Sequence, residues 1–294
     1  MRVPWLDRHG RFLPLKAVVL LLGAIPGILF GYWWIAGDLG GRAVNDVIHA
    51  SGLWAIRFLL VALAITPFAR LLDWSRLLTV RRMVGVTAAA YAILHLLLYV
   101  VEQKFALLVV VTEIYTRFYL TIGFVALVGL IALTATSTDA WIRWMGKSWK
   151  RLHRLVYPIA VLALWHYALQ SKANVSEAVF AAGLFVWLML WRALPETWRR
   201  SVVAYPLLAV AACLLTMGIE FGWYGIASGV DPWRVLGANL SVAFGLRPAH
   251  WVFITTAGVA AVFTLRRFVP SKRAVSVNVV RSSGPTRVRT ASGS

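Results

Sequence analysis

Two of the chain's six histidines lie where an ionisable side chain is costly and therefore functional by default. His95 follows Arg82 by 13 residues, inside the apolar stretch 83–101, and His166 follows Arg154 by 12 residues, inside 155–170. If both stretches are helices entering a membrane from the same side, each imidazole sits about 18–20 Å above that side at 1.5 Å per residue. Two neutral imidazoles at one depth on different helices are the ligand set of a six-coordinate b-type haem. The same residues also fit two independent histidines, each hydrogen-bonded to a neighbouring helix.

His153 lies 13 residues before His166, about 20 Å below it, among Lys150, Arg151 and Arg154. Thirteen steps of 100° put the two rings on different faces of a straight helix, a relation that a kink at Pro158 would alter. It suits a second, inner cofactor ligand, with the arginines neutralising propionates or a phosphate, and equally an interfacial histidine in a basic loop. Arg57, near the start of 52–69, is the one Lys or Arg that the count of charges on each side leaves inside the membrane. A guanidinium there suits a haem propionate through a bidentate pair, or snorkels to the headgroups. Tyr91, one turn before His95 on the same face, reads as packing. His9 and His49 fall in expected loops, and His250 at the edge of the last apolar stretch.

Other chemistries find no residues to carry them. The spans hold no paired acids, no Ser–His–Asp set and no HExxH, and Glu220 stands isolated in sequence. The single cysteine, Cys213, excludes an intrachain disulfide, CxxC redox chemistry, a cysteine-ligated iron–sulfur cluster and c-type haem attachment. Neither GxGxxG nor GxxxxGK[ST] occurs, so no nucleotide domain is recognisable.

The elements that must position the histidines follow from composition. Of 294 residues, 60% are hydrophobic and 14% charged, with a mean hydropathy of +0.74. Soluble domains are about 45–50% apolar and about 25% charged, which excludes a water-soluble fold. The expected class is an all-α polytopic transmembrane helix bundle of about eight spans, at 17–36, 52–69, 83–101, 118–136, 155–170, 176–194, 202–221 and 250–265. The first is read as an uncleaved span, because it lacks a clean small-x-small cleavage site. Thirty Lys and Arg against 11 Asp and Glu give a formal charge of +19. Twenty-three of the thirty, Arg192 grouped with the loop charges among them, fall on one side of this topology and six, including Arg117 in a loop, on the other. The positive-inside rule therefore makes both termini cytoplasmic and leaves no need for a nucleic-acid partner. On that orientation His95 and His166 lie in the outer half of the membrane. Asp231-Pro232 caps an expected outer interfacial helix with a stripe of Trp233, Leu236, Leu240 and Phe244. Residues 269–294 read as a disordered basic tail attracted to lipid of the inner leaflet. No internal repeat is visible.

Four ordered blocks carry a family resemblance. They are Gly52-Leu53-Trp54-Ala55-Ile56-Arg57-Phe58-Leu59 with Thr66-Pro67; Arg81-Arg82-Met83-Val84-Gly85 with Tyr91-Ala92-Ile93-Leu94-His95; Arg117-Phe118-Tyr119-Leu120-Thr121-Ile122-Gly123 with Ala135-Thr136-Ser137; and Trp149-Lys150-Arg151-Leu152-His153-Arg154-Leu155-Val156-Tyr157 with His166-Tyr167. Together they resemble the MsrQ (YedZ) family, within the wider ferric-reductase-like transmembrane group, over residues 10–195. The resemblance implies haem b associated with His95, His153 and His166, a use of FMN, and electron delivery to a periplasmic MsrP-like molybdoenzyme that reduces methionine sulfoxide in envelope proteins. It implies an electron-transfer subunit of the bacterial inner membrane rather than the sulfoxide-reducing catalyst. The flavin and nicotinamide domain of the group's oxidases has no counterpart, so electrons are expected from the quinol pool or a separate cytoplasmic flavin reductase. Residues 196–268, with two further spans, extend past the resemblance. The competing readings are an outward ferric reductase or another haem-b conduit and, from a different class, a transporter or proton channel whose histidines relay protons.

Overall fold

The computed structural model describes Trp5 and residues 10–37, 43–171, 174–243 and 245–267. The basic tail at 269–294, Phe244 and His9 lie outside the described residues. The chain is a polytopic bundle of helices. In order they are α1 Pro14–Ala36, α2 Ala43–Leu71, α3 Arg81–Glu102, α4 Leu107–Thr116, α5 Phe118–Ala135, α6 Asp139–Met145, α7 Lys147–His153, α8 Val156–Gln170, α9 Ser176–Ala193, α10 Glu196–Arg199, α11 Ala204–Ala227, α12 Pro232–Asn239 and α13 Pro248–Arg267.

Seven of these are long and apolar enough to cross a membrane: α1, α2, α3, α5, α9, α11 and α13. The eighth expected span is α8, with 15 residues and a length of about 22 Å. Pro158 occupies the first turn of α8, where its missing N–H costs nothing, and the turn at Arg154 and Leu155 separates α7 from α8. The expected mid-helix kink is therefore a break between two helices. The helix α4 is an addition to the expected spans. α2 begins nine residues before the apolar stretch, so His49 is helical rather than in a loop.

The core is organised as two antiparallel pairs, α2 with α3 and α5 with α8. The fully buried Ala88, Ala89 and Ala160 let these helices approach closely, as small residues do where lipid supplies no hydrophobic drive. α9 lies against α2 and α8 and joins them to α11 and α13. Gly183 of α9 makes that junction possible, since a Cβ there would lie 2.4 Å from Thr216 Oγ1 and 2.5 Å from Val252 Cγ2. α1 sits on α3 through one polar contact. The Tyr91 hydroxyl accepts from Gly27 N–H at 2.8 Å and donates to the Gly23 carbonyl at 2.9 Å, so it stands inside one turn of the α1 ladder beside Pro26.

Pro67 explains a half-buried arginine. It removes the N–H that would serve the Leu63 carbonyl in α2, and Arg192 of α9 donates to that carbonyl instead. Arg192 also donates to Leu188 O at 2.8 Å and lies over the Tyr157 ring at 5.6 Å. It is thus a structural cation facing the bundle, beside the loop charges with which it was first grouped. Replacing Arg192 with Met should leave the Leu63 carbonyl unpaired and lower stability by about 1–3 kcal/mol. Adding Pro67→Ala restores an N–H to α2 and should recover part of that loss in a thermal melt of the detergent-solubilised protein.

Glu220 of α11 is fully buried and not isolated. It accepts from Asn239 Nδ2 at 2.8 Å and pairs with the Arg247 guanidinium, which ties α12 and the start of α13 to α11. Asp231 caps α12 as expected, accepting from Trp233 N–H at 3.0 Å. The buried face of α12 is Val235 and Asn239, whereas Trp233 and Leu240 of the expected stripe are exposed.

Candidate functional site

The two histidines expected at one depth meet between the two helix pairs. The His95 and His166 ring centroids are 6.2 Å apart with the ring planes at 80°. Each ring is aimed by the same device. His95 Nδ1 is 2.8 Å from the Ile48 carbonyl of α2, and His166 Nδ1 is 2.8 Å from the Tyr119 carbonyl of α5. A carbonyl only accepts, so each Nδ1 carries the proton and each neutral ring keeps a free lone pair on Nε2.

Glycine makes room for each ring. A Cβ on Gly52 would lie 3.0 Å from His95 Nδ1, and one on Gly123 would lie 2.7 Å from His166 Nδ1. Each glycine sits one helical turn after the carbonyl that its histidine holds, and each histidine follows its glycine by 43 residues. The chain therefore builds one unit twice, helix with carbonyl and glycine followed by helix with histidine, and the pair stands where the units face. This repeat was missed in the sequence, although the shared spacing was its signal.

The rings line a cavity of about 550 Å³, within the range of small-molecule and cofactor sites. Leu59, Ala126 and Leu130 line its inner part, while His49, Gln103, Glu113, Arg117, Gln170 and Glu177 come from the helix ends at its mouth. Both ring separation and polarity suit a planar iron macrocycle. One ion bonded to two facing imidazole nitrogens at about 2 Å each, as in zinc sites, fits between the rings. An apolar floor and a polar mouth match a porphyrin with propionates on one edge. Among the described residues no group of three or more His, Cys, Asp or Glu could hold a metal ion.

The structure does not bring His153 or Arg57 to this cavity. His153 Nδ1 is 3.1 Å from its own Trp149 carbonyl, Nε2 is 3.3 Å from Ser137 Oγ, and the ring stacks on Trp149 at 3.9 Å. Burial pushes its pKa down, the Trp149 and Leu133 carbonyls oppose this, and the Arg81 charge lowers it further. Arg57 is exposed on α2 with its guanidinium over the Trp54 ring at 5.0 Å. Arg117, which sequence reasoning placed only in a loop, lines the mouth.

Residues 51–164 match the family model described as the ferric reductase like transmembrane component. That match gives the class of this part of the chain, a ferric-reductase-like transmembrane component. Relatives narrow it. The chain is 40% identical over 196 residues to the protein-methionine-sulfoxide reductase heme-binding subunit MsrQ of Rhodospirillum rubrum, covering 66% of this chain and 92% of that protein. It is 44% identical over 159 residues to the subunit of the same name from Caulobacter vibrioides, covering 53% of this chain and 76% of that protein. For the Xanthomonas oryzae subunit the identity is 39% over 185 residues, covering 60% and 85%. The chain belongs to the MsrQ family. No solved structure matches it.

Proposed function

We propose that this chain is the haem-b electron-transfer subunit of a protein-methionine-sulfoxide reductase system in the bacterial inner membrane. It takes electrons from the quinol pool or a cytoplasmic flavin reductase and passes them to a periplasmic MsrP-like molybdoenzyme, where the sulfoxide is reduced. The observation that carries this reading is the His95–His166 pair, 6.2 Å apart with both Nδ1 atoms engaged and both Nε2 atoms free. The names of the relatives, each a heme-binding subunit, agree with it.

Bound haem supplies one-electron chemistry. His95 and His166 would hold its iron, and the carbonyls of Ile48 and Tyr119 fix the rings and would raise the basicity of the ligating nitrogens. Leu59, Ala126 and Leu130 exclude water from the inner part, and Arg117 offers a donor to the propionates at the mouth. Basic residues cluster at the far end, with Arg70, Arg82 and Arg199 paired to Glu196 and Asp139, which supports reading that end as cytoplasmic and the histidine end as periplasmic. Electrons then leave on the partner's side. His153, with both nitrogens engaged, packs α7 against α5 in this reading and is not an axial ligand of the same haem. FMN rests on the family resemblance alone, and this reading assigns it no residue.

The test is electron transfer in a defined system. The chain is purified with its haem, reduced, and mixed anaerobically with an MsrP-like molybdoenzyme and a methionine sulfoxide peptide. Reoxidation of the haem in step with methionine formation is expected. Haem that reoxidises with ferric chelates and not with the molybdoenzyme would instead favour the outward ferric reductase.

A further inference from the structure

A line of polar contacts crosses the cavity mouth from the helix of one histidine to the ring of the other. Tyr99, one turn after His95 on α3, donates its hydroxyl to Glu113 Oε2 of α4. Arg117 donates Nη2 to Glu113 Oε1 at 2.7 Å and Nη1 to the Tyr119 hydroxyl at 3.2 Å. Tyr119 in turn supplies the carbonyl that holds His166 Nδ1 at 2.8 Å. The turn between α4 and α5 is closed as well, by Thr121 Oγ1 donating to Ile114 O at 2.6 Å.

We propose that Tyr99, Glu113, Arg117 and Tyr119 form a bracket that sets the position of His166 relative to His95 and so keeps His166 bonded to the haem iron. They are positioning residues, and none of them needs to touch the metal. The helix pairs α2/α3 and α5/α8 each orient one histidine internally, but something must also fix one pair against the other. The two pairs share a buried core that includes Leu59, Leu63, Ala126, Leu130 and Leu164, and the bracket adds a polar tie between them at the level of the rings. Glu113 is well suited to it. Its carboxylate has two oxygens and accepts from α3 through one and from Arg117 through the other. The ten residues of α4 then have a purpose that the membrane spans do not supply, which is to carry that carboxylate across the mouth.

This inference rests on the haem reading above, and the experiment separates the two. Carbon monoxide binds a ferrous bis-imidazole haem only when one imidazole leaves, so its binding rate rises when either ring, His166 included, is held less firmly. Tyr99→Phe and Tyr119→Phe each cut the bracket while leaving charge, packing and both Nδ1 acceptors in place. Haem content at the wild-type ratio with carbon monoxide binding roughly tenfold faster in both variants is expected, the lower end of what loss of an outer partner costs a metal site. Glu113→Gln, which keeps one acceptor oxygen and loses the charge-assisted pair, should fall in the same direction. Wild-type rates in both Phe variants with full haem content overturn the bracket and leave the haem assignment intact. Absence of haem from the wild-type protein, or an unchanged spectrum in His166→Ala, overturns the haem assignment instead.

Discussion

Alanine at His95 or at His166 is expected to abolish six-coordinate haem, with the low-spin absorption spectrum lost and the haem-to-protein ratio falling sharply. Both rings are needed because they face each other across one space, 6.2 Å apart at their centroids. His49, which also lines the cavity, is exposed at the mouth of α2 and is not the packing partner of either ring. His153→Ala should retain the spectrum of this haem, because its ring lies against Trp149 and Ser137 at the other end of the bundle. The contrast matters more than either loss alone, since general misfolding would not sort the three histidines. Pyridine haemochrome assay of each variant, with size-exclusion profiles as the folding control, measures it.

The second large effect is expected at Gly123. In an ordinary helix, alanine in place of glycine gains roughly 1 kcal/mol. Here the added carbon would lie 2.7 Å from His166 Nδ1 and 2.8 Å from Cε1, far inside contact distance, and the atoms it meets belong to a rigid ring. The ring must move, and its bond to the Tyr119 carbonyl goes with it. Gly123→Ala should therefore cost about 1–3 kcal/mol through overpacking, reversing the sign set by propensity, and convert the haem to a high-spin or depleted form. Gly52→Ala meets His95 at 3.0 Å and should do the same to a smaller degree. Valine at either position should exceed alanine. Haem content and the high-spin fraction of the absorption spectrum rank the four variants.

Depth was legible in the sequence because helical rise is constant. Counting from Arg82 and from Arg154 placed His95 and His166 at one level, and they meet there. What aims them was not legible, since the Ile48 and Tyr119 carbonyls belong to other helices and carry no side-chain signature. Arg57 shows how a boundary error spreads. Asn45, Asp46 and His49 end the apolar stretch, so its depth was counted from residue 52, whereas α2 starts at Ala43 and Arg57 lies midway along it. Glu220 read as isolated because its partners, Asn239 and Arg247, lie 19 and 27 residues further on, in segments taken for interface and loop. Arg192 was grouped with loop charges because the need for it arises from a proline 125 residues away. In each case the missing information was tertiary, with a polar group's partner set by packing rather than by spacing.

The α11–α13 unit is held by the buried Glu220–Arg247 pair and by the close fit of α9 at Gly183. The Glu220–Arg247 pair lies within this unit and ties α11 to the start of α13, so removing Arg247 leaves an uncompensated buried carboxylate. None of the residues that line the histidine cavity comes from α11 or α13.

The most direct measurement of the central claim is the electron paramagnetic resonance spectrum of the ferric protein as purified. Ring planes at 80° would leave the two d orbitals of a bound iron that mix with the imidazole π systems nearly equal in energy. The account predicts a strongly anisotropic low-spin signal, with its largest g value above that of parallel-ring bis-imidazole haems, and its disappearance in His166→Ala. A dominant high-spin signal in the wild-type protein, or a low-spin signal that survives in both His95→Ala and His166→Ala, would contradict it.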